Sequence, residues 1–115
     1  MSRLSKDVEI PISIEIKNKT LKEFKNVEVK DYIPPVVSLI KKFVSLKPKI
    51  KSVGDRLELT WKIPVLGPGE EIVLGYRIKP LLEIIGNLHL PPAVITYLEN
   101  GKRKKKIVSK GIVVG

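Results

Sequence analysis

Apolar and polar residues alternate with a period of two along most of this chain. The cleanest run is Val8, Ile10, Ile12, Ile14 and Ile16, interleaved with Glu9, Pro11, Ser13, Glu15 and Lys17. Alternation sends successive side chains to opposite faces, so this run predicts a strand with one buried face. Pro11 has no N–H for a ladder and marks an edge strand or a bulge. Asn18-Lys19-Thr20 supplies a turn. Val27 and Val29 then alternate with Glu28 and Lys30 and lead into Asp31-Tyr32-Ile33, where Pro34-Pro35 stops the strand. Asp31 shares the phase of Val27 and Val29, which aims it at the core.

Residues 36–46 carry a different spacing. Val36, Leu39, Ile40, Phe43 and Val44 fit one face of a helix, and Pro35 suits a helix start. The β-branched content opposes it. The expectation is one short helix near 36–44, or an irregular crossover. Lys49 to Val53 is a short strand candidate, and Gly54-Asp55 a turn.

Alternation returns at Leu57, Leu59, Trp61 and Ile63, and again at Ile72, Leu74, Tyr76 and Ile78. The segment between them, 64–71, is long for a tight hairpin and suits a crossing from one sheet to another. Pro80 closes the second of these strands. Residues 82–90 are mixed, with Gly86-Asn87 as a turn candidate. Pro91-Pro92 precedes a strand over 93–98. Asn100-Gly101 is the strongest hairpin signal in the chain, and a last strand follows over 105–114. Short strands with turn signals about every ten residues predict an all-β sandwich of about seven strands.

A length of 115 residues suits one domain, 1–115, and 43% hydrophobic residues supply a core. Cysteine is absent, so disulfides and thiolate metal sites are excluded. His89 is the one histidine, and a structural or exposed role suits it better than metal ligation. Gln is absent while Lys and Glu dominate, a bias that points to a thermophilic source. No apolar stretch approaches the ~20 residues of a membrane-spanning helix, and the N-terminus has no signal-peptide core. The chain is then cytoplasmic, or one domain of a longer extracellular or membrane-associated protein.

Three blocks resemble the immunoglobulin-like "conserved repeat" domains of unknown function in archaeal and bacterial cell-surface proteins. The first runs from Ile14 through Asn18 and Leu21 to Val27-Glu28-Val29-Lys30-Asp31-Tyr32-Ile33-Pro34. The second joins Leu59-Thr60-Trp61, Leu66-Gly67-Pro68-Gly69-Glu70 and Leu74-Gly75-Tyr76. The third is Pro92-Ala93-Val94-Ile95-Thr96-Tyr97. The resemblance implies an immunoglobulin-like sandwich, usually one module of a larger exported protein, and brings no catalytic residue. Similar surface sandwiches crosslink a lysine to Asn or Asp, which makes Asp31 or Asn18 a candidate acceptor. The plainer alternative has Asp31 hydrogen-bonding the turn at Ile33-Pro34.

The formal net charge is +10, and Lys102, Arg103, Lys104, Lys105 and Lys106 form an unbroken basic run; without those five residues the chain would carry +5. The run is the candidate contact site, for nucleic-acid phosphates, anionic headgroups or an acidic partner. Its bland alternative is a solvated hairpin whose lysines discourage edge-to-edge pairing. Asn18-Lys19-Thr20 is also a glycosylation triplet in a predicted turn. Glu70 and Glu71 are adjacent and diverge, so they make no acid–base pair. No serine sits in a nucleophile elbow and no Gly-rich loop cradles phosphate.

The sequence therefore supports a non-enzymatic structural or protein-interaction module of a larger archaeal envelope or membrane-associated protein. Its partners would be another protein or neighbouring domains of the same chain. The alternative is a cytoplasmic anion- or nucleic-acid-binding domain using the basic hairpin at 102–106. No cofactor, metal or small-molecule substrate is expected.

Overall fold

In the computed structural model, which describes residues 3–4, 8–85, 88, 90–108 and 111–112, the alternating runs form antiparallel sheets. The strands are β1 (Arg3–Leu4), β2 (Ile10–Lys17), β3 (Phe24–Ile33), β4 (Val37–Val44), β5 (Lys49–Val53) and β6 (Arg56–Leu66). Then come β7 (Glu71–Pro80), β8 (Ile84–Ile85), β9 (Ala93–Glu99), β10 (Lys102–Val108) and β11 (Gly111–Ile112). One sheet has the order β10-β9-β3-β6-β5 and the other β11-β2-β7-β4; β1 pairs with β8 apart from both. The chain is an all-β sandwich.

The inward phases are those the alternation marked. Ile10, Ile12, Ile14 and Ile16 of β2 meet Leu74, Tyr76 and Ile78 of β7 on one layer. Val27, Val29 and Ile33 of β3 lie beside Leu59, Trp61 and Ile63 of β6 on the other. Each such aliphatic side chain, once fully buried, stabilises by roughly 1.5–3 kcal/mol. Trp61 and Tyr76 stack across the layers at 6.3 Å between ring centroids. The Trp61 indole N–H donates to the Leu46 carbonyl at 3.1 Å, so the buried ring keeps a polar partner.

The helix expected near 36–44 is absent. That segment is β4, paired with β7 from Val37↔Pro80 to Ile40↔Arg77 and again at Val44↔Gly75. Four residues on β4 span two on β7, so the register shifts between Ile40 and Val44, and the even offset keeps the odd-numbered residues on the inward phase. Leu39 and Phe43 pack against the core, while Val44 lies over Gly75 on the outer phase. The helix-like spacing comes from a strand with apolar residues on both faces, Leu39 and Phe43 inward and Ile40 and Val44 outward, and its β-branched residues favour the strand. The predicted last strand is also corrected. β10 ends at Val108 in one sheet and β11 lies in the other. Gly86, Asn87 and His89 lie outside the described residues.

Gly75 shows how tightly β4 sits. A Cβ there would stand 2.9 Å from the Val44 Cβ. Gly75→Ala is expected to cost about 1–3 kcal/mol through this overlap. Val44→Gly in the same chain, which removes the Cβ the new methyl meets, should recover part of that relative to Val44→Gly alone, read from urea unfolding midpoints. No recovery would place the cost elsewhere.

The turn at 67–70 carries β6 in one sheet to β7 in the other, as its length suggested. Gly69, at φ 73°, is in the left-handed region that favours glycine. The Glu70 carboxylate accepts from the Gly67 N–H at 2.7 Å. The turn is strapped to the β2–β3 loop: Asn18 N–H donates to the Glu70 carbonyl at 2.9 Å, and Gly69 N–H to the Asn18 carbonyl at 2.8 Å.

Candidate anion-binding face

Strand register divides the basic run. β9 and β10 pair from Glu99↔Lys102 to Ala93↔Val108. Asn100 and Gly101 both take positive φ, 53° and 75°, which is the tight hairpin the Asn-Gly pair predicted. The run thus lies wholly within a strand. Lys104 and Lys106 face Tyr97 and Ile95, whose side chains are buried, and so take the core-facing phase. Both stay exposed, since β10 is an edge strand. Lys104 reaches Glu99 at 3.3 Å. Inward-phase charges on an edge block pairing with another sheet, so this half of the run has a structural role. Lys102 closes the turn opposite Glu99.

Arg103 and Lys105 face Leu98 and Thr96 on the outer side of the sheet. There they join cations from three other strands. Lys25 and Lys30 project from β3, Arg56 and Lys62 from β6, Lys49 and Lys51 from β5, all on the outer phase. The same face holds two carboxylates, Glu28 and Glu58. Both are taken by Lys30, whose Nζ lies 3.7 Å from each. The other seven cations have no ion pair within the described residues.

The outer face of the other sheet has a different balance. Lys17, Arg77 and Lys79 are offset there by Glu15 and Glu71, and Lys42 is paired to Glu9 at 3.6 Å. Charge is therefore polarised across the sandwich. Like charges within a Debye length of about 10 Å at 0.1 M salt add their fields. Neighbouring strands about 4.8 Å apart place cations on adjacent strands within that length. A shallow depression of about 310 Å³ lies on this face, lined by Lys30, Tyr32, Thr96, Arg103 and Lys105 among others.

Other groups marked in the sequence are structural. Asn18 is fully buried. Its amide nitrogen donates to the Lys22 and Leu66 carbonyls at 2.7 and 3.0 Å, and its oxygen accepts from the Thr20 N–H and hydroxyl at 3.0 and 2.7 Å. The triplet does lie in a turn, but the amide nitrogen a glycan needs is turned inward. Asp31 is also fully buried. It accepts from the Tyr32 N–H at 2.8 Å and from the Tyr76 hydroxyl, which bridges the two sheets. Burial first, then the charge and hydrogen bond of Asp31, push the Tyr76 phenol far above its ordinary value. The Asn18 amide is thus engaged with backbone carbonyls and Thr20, and the carboxyl of Asp31 accepts from Tyr32 and Tyr76.

A cleft of about 470 Å³ opens between β2 and β10 over the stacked Phe24 and Tyr97 rings, 4.1 Å apart. Its lining includes Glu15 and Glu71 together with Lys17, Lys19 and Lys106. Among the described residues no group of three His, Cys, Asp or Glu side chains could hold a metal ion.

The cations of β3, β5 and β6 were missed in the sequence because each is an ordinary polar position of an alternating strand. Only the strand order brings them together.

No family model and no curated protein matches this chain. Two solved structures are similar to it. One is a GH20 exo-β-N-acetylglucosaminidase from Vibrio harveyi bound to N-acetylglucosamine; the other is an inactive mutant of that enzyme. Each superposes with a TM-score of 0.52 at 12% identity over 95% of this chain, which spans 16% of the enzyme's length. At that identity the likeness shows the fold alone, a β-sandwich.

Proposed function

We propose that this domain is a non-enzymatic interaction module that binds a polyanion through the outer face of its five-stranded sheet. The observation that carries this reading is the charge polarity of the sandwich. Seven unpaired cations crowd one outer face, while the opposite face is nearly balanced. Maintaining that density costs self-repulsion, and an anionic partner relieves it. The reading joins the interaction module to the anion-binding alternative, and moves the contact from the linear run to the face. Lys102, Lys104 and Lys106 fall outside it; Arg103 and Lys105 belong to it.

Retention on immobilised heparin tests it. The protein should bind at low salt and elute later than a control with Lys49→Glu and Lys62→Glu. The matched pair Lys17→Glu and Lys79→Glu, on the other face, should elute close to the parent. Equal loss from both pairs would mean that net charge alone governs binding.

A further inference from the structure

We infer that the polyanion is a single-stranded nucleic acid lying diagonally across the five-stranded sheet, an inference that rests on the polyanion-binding reading above. Register fixes where each cation stands. Leu98 links Arg103 on one side to Lys25 on the other, and Thr96 links Lys105 to Glu28. Glu28 faces Lys62, and Lys30 faces Thr60, which faces Lys49. Tyr32 faces Glu58, which faces Lys51.

Arg103, Lys105 and Lys25 therefore occupy one corner of the face. Lys62 holds the middle beside Lys30, which is paired with Glu28 and Glu58, and Lys49, Lys51 and Arg56 occupy the opposite corner. The two remaining corners are apolar: Val65 at one, Val94 and Ile107 at the other. The cations form a band, not a disc. Four inter-strand steps of ~4.8 Å and six residues of ~3.3 Å make it roughly 28 Å long.

The shape of the band selects the ligand. A lipid surface is planar and would be met by cations in every corner. A duplex is stiff and presents paired phosphate rows across its grooves, whereas the sheet offers a single row on a twisted surface. A flexible single strand can follow that row phosphate by phosphate. Tyr32, half-buried on the outer phase of β3, sits beside the middle of the band. It is the one aromatic on this face, and it favours a base over the side chains of an acidic peptide. With so little stacking and no groove reader, recognition is of the backbone and is sequence-tolerant.

Fluorescence anisotropy with labelled oligothymidylates tests this. Affinity should rise steeply from about three to about six nucleotides and then flatten as the band is filled. About five phosphate contacts give a slope of log K against log salt near −3.5. Lys25→Glu and Lys51→Glu, at opposite ends of the band, should each weaken a ~12-nucleotide strand at least about tenfold, and Lys79→Glu should not. A duplex of equal length, phosphatidylserine vesicles and polyglutamate should bind more weakly. If any of these binds as tightly as the single strand, the single-strand assignment fails and the polyanion reading stands. If none of the four binds at low salt, both fail.

Discussion

Tyr76→Phe is expected to destabilise this domain by about 2–3 kcal/mol, although it removes a single oxygen. The two rings are nearly isosteric, so packing against Trp61 survives. What is lost is the hydroxyl that β7 donates to the Asp31 carboxyl of β3. Both residues are almost fully buried, and a hydrogen bond to a charged group is worth about 1.5–3 kcal/mol. Asp31→Leu alone should cost at least as much, since it takes the acceptor from both the Tyr76 hydroxyl and the Tyr32 N–H. The double variant should cost clearly less than the two single costs added, because replacing both partners of a buried pair is cheaper than orphaning one. Additive costs would mean that the bond contributes little.

The same pair sets an alkaline limit. The Tyr76 phenol is raised in the folded state, chiefly by burial and then by Asp31, while the unfolded chain ionises it near pH 10. A raised folded value leaves stability intact below about pH 10 and erodes it above, because only the unfolded state then gains by losing the proton. The advantage of the parent over Tyr76→Phe should therefore shrink by up to ~1.4 kcal/mol per pH unit above pH 10. Urea unfolding of both proteins at pH 8 and pH 11 measures this. A gap that stays constant or widens would contradict the assignment.

Asn18→Ala is the second large effect, expected at about 2–4 kcal/mol. The amide uses both donor hydrogens, on the Lys22 and Leu66 carbonyls, and accepts twice from Thr20. Its loss orphans buried backbone groups, each at about 1–3 kcal/mol. It also loosens the strap that holds the 67–70 turn to the β2–β3 loop. Asn18→Asp keeps the oxygen but removes both donors, so it should rescue little. Rescue by Asp to near the parent midpoint would show that acceptance from Thr20, not donation to Leu66, is what matters. Thermal melts of the three proteins separate these cases.

These two sites show where sequence reading succeeds and where it stops. Alternation placed Ile12, Val29, Trp61 and Tyr76 in the core, because a period of two is a local property of the strand. It placed Asp31 inward for the same reason. It had no means of finding Tyr76 as its partner, 45 residues away on the other sheet. At 36–44 it failed because apolar residues on both faces of a strand, Leu39 and Phe43 inward and Ile40 and Val44 outward, mimic helical spacing, and only the pairing with β7 reveals it. The functional face was hidden for a related reason. Five consecutive basic residues catch the eye, yet a strand sends alternate members to opposite sides. The cations that accumulate on one face come from residues 25 to 105 and are adjacent only through the order β10-β9-β3-β6-β5.

That division of the run offers the most direct test of the account. Arg103→Gln with Lys105→Gln, and Lys104→Gln with Lys106→Gln, remove the same charge from the same five residues. The first pair faces outward with Lys25 and Lys62, and the second takes the inward phase. Affinity for a labelled polyanion, measured by anisotropy at one low salt concentration, should fall at least about tenfold for the first pair and change by less than about twofold for the second. Equal losses, or a larger loss from the second pair, would contradict a binding face and return the site to the linear run.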